Sequence, residues 1–404
     1  MSRYVEYNPD QDMLLPPSVR EELGEQHLAV FVHAVVERLD LRQLEAEDSE
    51  VGRPGYPPQL LLKVWLYAYA LGVTSSRRIE QRIREDLGFR LLAGGWKPDH
   101  WTLNEFRRRH PKALNDVFTQ VLEMVRRLGM AQLGRVAVDS TKIQANANPD
   151  RSSSREDLRR ERARLRQRIR RWQKQCDADA SEPGGTTTAV PAAWHQRLEQ
   201  IPRQLEQLRK SGQKRNSRTD PESRYQKRRG GYCLGYTAEI AVTDDHFVVG
   251  HRVHPGPLDL DGLEAMTHAV EQECGQLPEK VMADCAYFST PAVMAVQHRG
   301  VHVIVPDQIA AREIRGILEP VEMNRRQKRR HPGLHEHRQR MRDPVARADY
   351  ARRKAVVEPV FGVLKQQRNL RQFRCRGLQA VNTEWALATA AFNLTRLFTR
   401  LAQP

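Results

Sequence analysis

The chain has 404 residues, with 66 Lys and Arg against 50 Asp and Glu, a formal net charge of +16 and a pI near 9.9. That length allows two or three domains with ample cores. Its five cysteines (Cys176, Cys233, Cys274, Cys285, Cys375) are odd in number, widely spaced and without a CxxC pair, which argues against a disulfide framework or a zinc ribbon and fits a reducing cytoplasm.

Met1 to Pro17 shows no basic segment followed by an apolar one, and the most apolar stretch, Leu60 to Val73, is interrupted by Lys63; neither a signal peptide nor a membrane span is expected. The positive charge is unevenly spread. Between Arg151 and Arg229 there are 22 Lys and Arg against 10 Asp and Glu, and between Arg312 and Arg376 there are 19 against 7, which leaves 25 against 33 elsewhere. An excess confined to two segments points to a nucleic-acid groove more than to general solubility.

In chain order, residues 18–130 read as all helical. Val19 to Leu39 carries apolar residues at helical spacing, Pro57-Pro58 opens a helix that runs to Leu71, and Ser75-Ser76 starts another that runs to about Asp86. Thr102-x-x-Glu105 matches a capping box before Phe106-Arg107-Arg108-Arg109, and Pro111 opens a helix to Leu128. This permits a helix-turn-helix-like DNA reader, with a packing bundle behind a solvated basic helix as the plainer alternative.

Arg135 to Thr141 reads as a short buried strand ending at Asp139. A basic helix from Arg155 to Gln175, a loop at Ser181 to Thr188 and a second helix with Trp194, Leu198, Ile201, Leu205 and Leu208 predict a helical hairpin. Pro202 weakens the second helix, and residues 211–231 read as a basic, flexible return. From Tyr232 the period changes to strands at Cys233 to Val242 and Phe247 to Val253. A helix (Leu260 to Glu273), a strand ending at Asp284, a helix (Thr290 to Gln297) and a strand (Val301 to Pro306) follow. Residues 310–345 are basic and poorly patterned, and a final helix spans Leu378 to Leu401.

The stretch Asp349 to Lys365 holds Glu358 among many cations and an apolar row of Val356, Val357, Val360, Phe361 and Leu364. Pro359 predicts a kink or a new helix start beside that acid. The plainer reading of Glu358 is a salt-bridge residue on a basic amphipathic helix. Three carboxylates on two strand ends and a helix can instead hold Mg²⁺, which takes oxygen ligands and is bound through few carboxylates plus substrate phosphate. The histidines of His331-Pro332-Gly333-Leu334-His335-Glu336-His337 read as solvent-facing in a basic loop. His335-x-x-Arg338 with Tyr350 is too tightly spaced for a tyrosine recombinase.

Val138-Asp139-Ser140-Thr141-Lys142, Ala283-Asp284-x-x-Tyr287, Tyr350-x2-Arg353-x4-Glu358-x6-Lys365 and Arg374-x-Arg376-Gly377 together resemble a prokaryotic insertion-sequence transposase of the DDE type. The likeness extends to Tyr56-Pro57-Pro58, Ser75-Ser76-Arg77-x-Ile79-Glu80, Pro98-Asp99-x-x-Thr102-x-x-x-Phe106-Arg107 and Asn393-Leu394, nearly the whole chain. Two positions depart from the family pattern: Ala286 stands where glycine is usual, and Gly235 to Glu239 occupies a strand that commonly carries Asn and Gln.

The resemblance implies an α+β protein. Residues 1–130 would be a helical DNA-binding domain. Residues 131–150 and 231–404 would form a ribonuclease-H-like mixed-sheet catalytic core, and 151–230 a basic helical-hairpin insertion after the first strand. It implies that Asp139, Asp284 and Glu358 bind two Mg²⁺ ions, with Mn²⁺ able to substitute, for cutting element ends and joining them to target DNA. Lys142, Tyr350, Arg353, Lys365, Arg374, Arg376, Arg107 and Arg108 would contact DNA. Double-stranded DNA, as terminal inverted repeats and as target, is the expected partner of a nucleoid-associated protein that dimerises on bound ends without a membrane role. The competing expectation is an inactive or domesticated DNA-binding protein of the same fold.

Overall fold

The computed structural model describes residues 18–46, 55–180, 189–228, 231–256 and 262–402. The loop expected at Ser181 to Thr188 and the start of the helix expected at Leu260 lie outside these residues.

The N-terminal region is helical, as its spacing predicts, with two local differences. The first expected helix divides into Val19–Leu23 and Leu28–Val36, because Gly24 takes φ 76 and ends the first turn. The helix His100–Arg109 starts before Thr102: Asp99 is its N-cap, its carboxylate accepting from the Thr102 backbone N–H at 2.8 Å. Pro58–Ala70 and Pro111–Arg127 bury long apolar rows, including Trp65, Leu66, Tyr69, Phe118 and Val121.

The strands in chain order are β1 (Arg135–Gln144), β2 (Ser152–Ser154), β3 (Arg215–Ser217), β4 (Arg224–Arg228), β5 (Gly231–Thr243), β6 (Val248–His254), β7 (Lys280–Met282) and β8 (His302–Ile304). A six-stranded sheet runs β4-β5-β1-β7-β8, with β6 also paired to β5. Pairing is antiparallel for β5 with β1, β4 and β6, and parallel for β1 with β7 and for β7 with β8. Helices Gly262–Cys274 and Thr290–His298 make the connections between the later strands. The mixed sheet and helical region together make an α+β protein. No described helix is long and apolar enough to cross a membrane.

Between β1 and β5, helices Arg155–Ala180 and Ala192–Ser211 form the expected hairpin, closed at its base by the β2–β3 pair. Leu158, Ile201 and Leu208 bury a small core of their own, and Trp172 meets Trp194 edge-on at 5.7 Å. Pro202 sits inside the second helix without ending it. Residues expected to be a flexible return instead supply β3 and β4, because the Arg215 side chain bonds Ser152 and backbone pairing satisfies the polar groups. Residues 310–345, poorly patterned in sequence, hold three short helices, Gln308–Ile314, Arg325–Arg330 and Pro332–Arg342, held by side-chain ion pairs such as Arg338 to Asp307.

The helix Leu378–Leu401 packs on both the N-terminal helices and the sheet, so one buried core joins the two regions. At that junction His251 of β6 meets Phe118 edge-on, with ring centroids 4.4 Å apart, and neither ring nitrogen has a hydrogen-bond partner among the described residues. Burial pushes the imidazole down to about 4. A depressed histidine keeps the folded state whole above its unfolded value near 6.5, and stability is lost as pH falls towards 4. Urea melts should therefore show up to about 3 kcal/mol of acid destabilisation across that window, from the displaced pKa. His251→Leu should remove this component, and an unchanged pH profile in that variant would refute the assignment.

Candidate active site

Val136 to Val138 are fully buried, an apolar run suited to the central strand β1, and polarity begins at Asp139, where the strand reaches the sheet's surface. β7 ends two residues before Asp284. Because Ala137 pairs with Met282, two further residues on each parallel strand bring Asp139 and Asp284 to matching positions. The two carboxylates interact. Burial pushes the Asp139 carboxyl up from its ordinary value; the Arg353 guanidinium pulls the other way, and the Asp284 charge adds to the rise.

The helix Pro344–Gly362 lies over this face of β1. Odd-numbered residues of the strand face it, and they pair in order: Arg135 with Asp349 at 2.9 Å, Asp139 with Arg353 at 2.9 Å, and Thr141 with Lys365 at 2.8 Å. Lys280 of β7 also reaches Asp349, at 2.9 Å. Val356, Val357, Val360 and Leu364 fill the space beneath. Pro359 neither breaks nor restarts the helix; the irregularity comes one turn later, as a π-helical turn over Val363–Gln367 that carries Lys365.

Glu358 is exposed on this helix. Five residues at ~100° each turn it roughly 140° away from Arg353 and onto the side of Lys365. The structure thus brings Asp139 and Asp284 together with Arg353 and leaves Glu358 outside their contacts. Among the described residues no group of three His, Cys, Asp or Glu is placed to hold a metal ion. The two neighbouring acids are both oxygen donors of the kind one divalent cation takes, with Arg353 balancing the Asp139 charge at 2.9 Å.

A second layer, unread in the sequence, lies behind the aspartates. Asp284 caps the turn Cys285–Tyr287 by accepting from the Ala286 N–H at 2.9 Å. Tyr287 then donates its hydroxyl to the fully buried Glu239 at 2.9 Å and meets the Ser140 side chain. His254 and Arg252 stand 3.4 and 3.7 Å from the other Glu239 oxygen. The available signal was Glu239 itself, a charged residue in an otherwise apolar strand.

Two family models match the chain: a transposase domain (DUF772) over residues 17–109 and a transposase DDE domain over residues 320–398. Both matches are to transposase domains, and together they support an insertion-sequence DDE transposase. The DDE match spans Tyr350, Arg353, Glu358, Lys365, Arg374 and Arg376, while Asp139 and Asp284 lie between the two matched regions. No curated protein and no solved structure matches the chain.

The transposase places its other expected DNA residues unevenly. Arg108, Arg374 and Arg376 line one cavity of about 660 Å³ between the helical region and the C-terminal segment, with Trp101 and Asn146. Glu384, fully buried, shapes this wall: its oxygens accept from the backbone N–H groups of Arg374 and Cys375 at 2.8–3.0 Å. Arg107 is placed differently. Only 3% exposed, it borders the same cavity but lies over the Trp65 ring at 3.7 Å and donates to the Tyr69 hydroxyl and to Asn104, so much of its guanidinium is used in joining helices. Lys142 is exposed and donates to the Lys227 carbonyl at 2.6 Å, and Tyr350 is half-buried beside Arg353. Among the histidines read as solvent-facing, His337 is interior and bonds the Val305 carbonyl at 2.7 Å.

Proposed function

We propose that this transposase cuts the ends of its element and joins them to target DNA at a centre built on Asp139 and Asp284, with Glu358 completing it when DNA is bound. The observation that carries the reading is the pair of strand-end aspartates in register on adjacent parallel strands, under a helix that supplies Arg353 and Lys365. The strand order and directions described above support a ribonuclease-H-like core. Divalent cations held by these acids would supply a lowered water pKa and charge stabilisation for in-line attack on a phosphodiester. The chain's own groups do the placing: Arg353 and Lys365 neutralise backbone phosphate, Tyr350 flanks it, and the apolar row beneath the helix fixes their positions.

Incubation of the purified chain with duplex DNA carrying the element's terminal repeats, with and without Mg²⁺, tests this. The expected result is metal-dependent nicking at the repeat boundary that leaves a 3′-hydroxyl. Binding without any nicking, in Mg²⁺ or Mn²⁺, would favour an inactive DNA-binding protein.

The arginine-lined cavity and the exposed arginines of the insertion, such as Arg159, Arg160, Arg166 and Arg170, extend the basic surface along which duplex would lie. Replacing Arg374 and Arg376 together with Gln should lower the salt slope of DNA binding by about 0.9 for each duplex phosphate that these side chains neutralise. Equal slopes for variant and wild type would place the DNA elsewhere.

A further inference from the structure

Arg368 follows the π-helical turn directly and is 6% exposed. A guanidinium so buried ordinarily has a carboxylate partner, because removing its charge from water is costly. Among the described residues, none pairs with this one. Its Nη1 is buried without a hydrogen-bond partner, and the nearest compensation is the Phe392 ring, whose centroid lies 5.3 Å from the guanidinium carbon. Burial alone pulls the group down to about 10.

The side chain borders a cavity of about 270 Å³ between the Glu358-bearing helix and the C-terminal helix. Pro359 and Val363 form one wall, Phe392 and Arg396 the other, and among the described residues no carboxylate lines it. The hydroxyls of Thr395 and Thr399, also in the lining, donate back to their own helix, at Ala391 and Thr395. Arg396 uses its Nε on the Asp245 carbonyl at 3.1 Å, which fixes its position beside the cavity. Two arginines thus converge on a space with no carboxylate among its described lining residues, although the Asp245 charge acts on Arg396 from outside it.

We infer that this cavity is a phosphate-binding site in which Arg368 is the principal ligand and Arg396 the second. The planar guanidinium matches two oxygens of a phosphate, and a second cation favours a phosphate over a singly charged carboxylate. The cavity is distinct from the aspartate centre. Val360 lies on the same side of the helix as Arg353 but seven residues, roughly 10 Å, further along its axis, so the separation is along the helix. A phosphate there would tie the segment after the π-helical turn to the C-terminal helix, and so stiffen the element that carries Glu358 and Lys365. The ligand comes either from solution, which is independent of the function proposed above, or from a DNA backbone, which rests on it.

Two arms on the full chain separate these sources. In the first, DNA-free protein is titrated with inorganic phosphate at ionic strength held constant with chloride, and thermal melting is followed. A ligand at about ten times its dissociation constant should raise the wild-type midpoint by roughly 2 °C, and Arg368→Met should abolish the rise. Arg368→Lys, which keeps the charge without the fork, should retain part of it and guards against a folding defect in the Met variant. In the second arm, the salt slope of duplex binding is measured in phosphate-free buffer. A fall of about 0.9 in Arg368→Met identifies a DNA phosphate as the occupant.

A phosphate response with an unchanged slope identifies the free ion. Equal phosphate responses and equal slopes in wild type and Arg368→Met overturn the site. A wild-type chain that binds no DNA at all would refute the proposed function while leaving the phosphate arm readable.

Discussion

Asp284→Asn is expected to abolish strand cleavage while leaving the fold and DNA binding close to wild type. The amide keeps the carboxylate's shape, and its oxygen can still accept from the Ala286 N–H, so the turn after β7 survives. The anionic oxygen that would meet a divalent cation is gone. Loss of one preorganised charge-stabilising group at a reacting centre costs about 10²–10³-fold in rate, and loss of a metal ligand should be no milder.

Asp139→Asn should cost as much activity and, unlike its partner, stability as well. It leaves Arg353, 5% exposed, without the acid that faces it at 2.9 Å. Stranding a buried hydrogen-bonding group costs about 1–3 kcal/mol. Adding Arg353→Met should recover the stability and none of the cleavage. Wild-type cleavage by Asp284→Asn would remove the aspartate pair from the chemistry altogether.

Glu358→Gln is the second large effect expected: at least a hundredfold loss of cleavage, again about the scale of one charged group at the centre, with end binding and melting midpoint nearly unchanged. The midpoint should hold because Glu358 is exposed, where removing one charge changes stability little. The rate should fall if DNA brings the exposed acid to the aspartates, for which the π-helical turn one step beyond it offers a place to flex. Cleavage and gel-shift assays on the same preparation decide this. Full activity in the Gln variant would make Glu358 a surface residue of a basic helix.

The fold was readable wherever one chain segment carried its own pattern. The last helix is expected from Leu378 to Leu401 and occupies those residues, since its apolar period of 3.6 is uninterrupted. Residues 310–345 escape that reading because their helices are short and held by charges such as Arg338 on Asp307, which leave no apolar period. For the candidate site, the strand-end aspartates stand out because a charge ends an apolar run. The partners of Arg353 and Lys365 could not be read, since they lie 214 and 224 residues away. The packing of Arg107 escapes for a related reason: three consecutive arginines look alike in sequence, but a helix sends each in a different direction, and this one lies over Trp65.

The helix Leu378–Leu401 carries Trp385, Ala386, Leu387, Ala390 and Ala391 fully buried, against both the N-terminal helices and the sheet. It is the last described element to leave a ribosome. Until it emerges, neither the helical region nor the sheet has its covering layer, and the Arg374–Arg376 wall lacks the Glu384 that shapes it. A message cut short anywhere before codon 378 therefore yields a chain with an open apolar surface, destined for chaperones and proteases more than for DNA. Quality control of translation thereby becomes control over which copies of the protein can ever engage an element's ends.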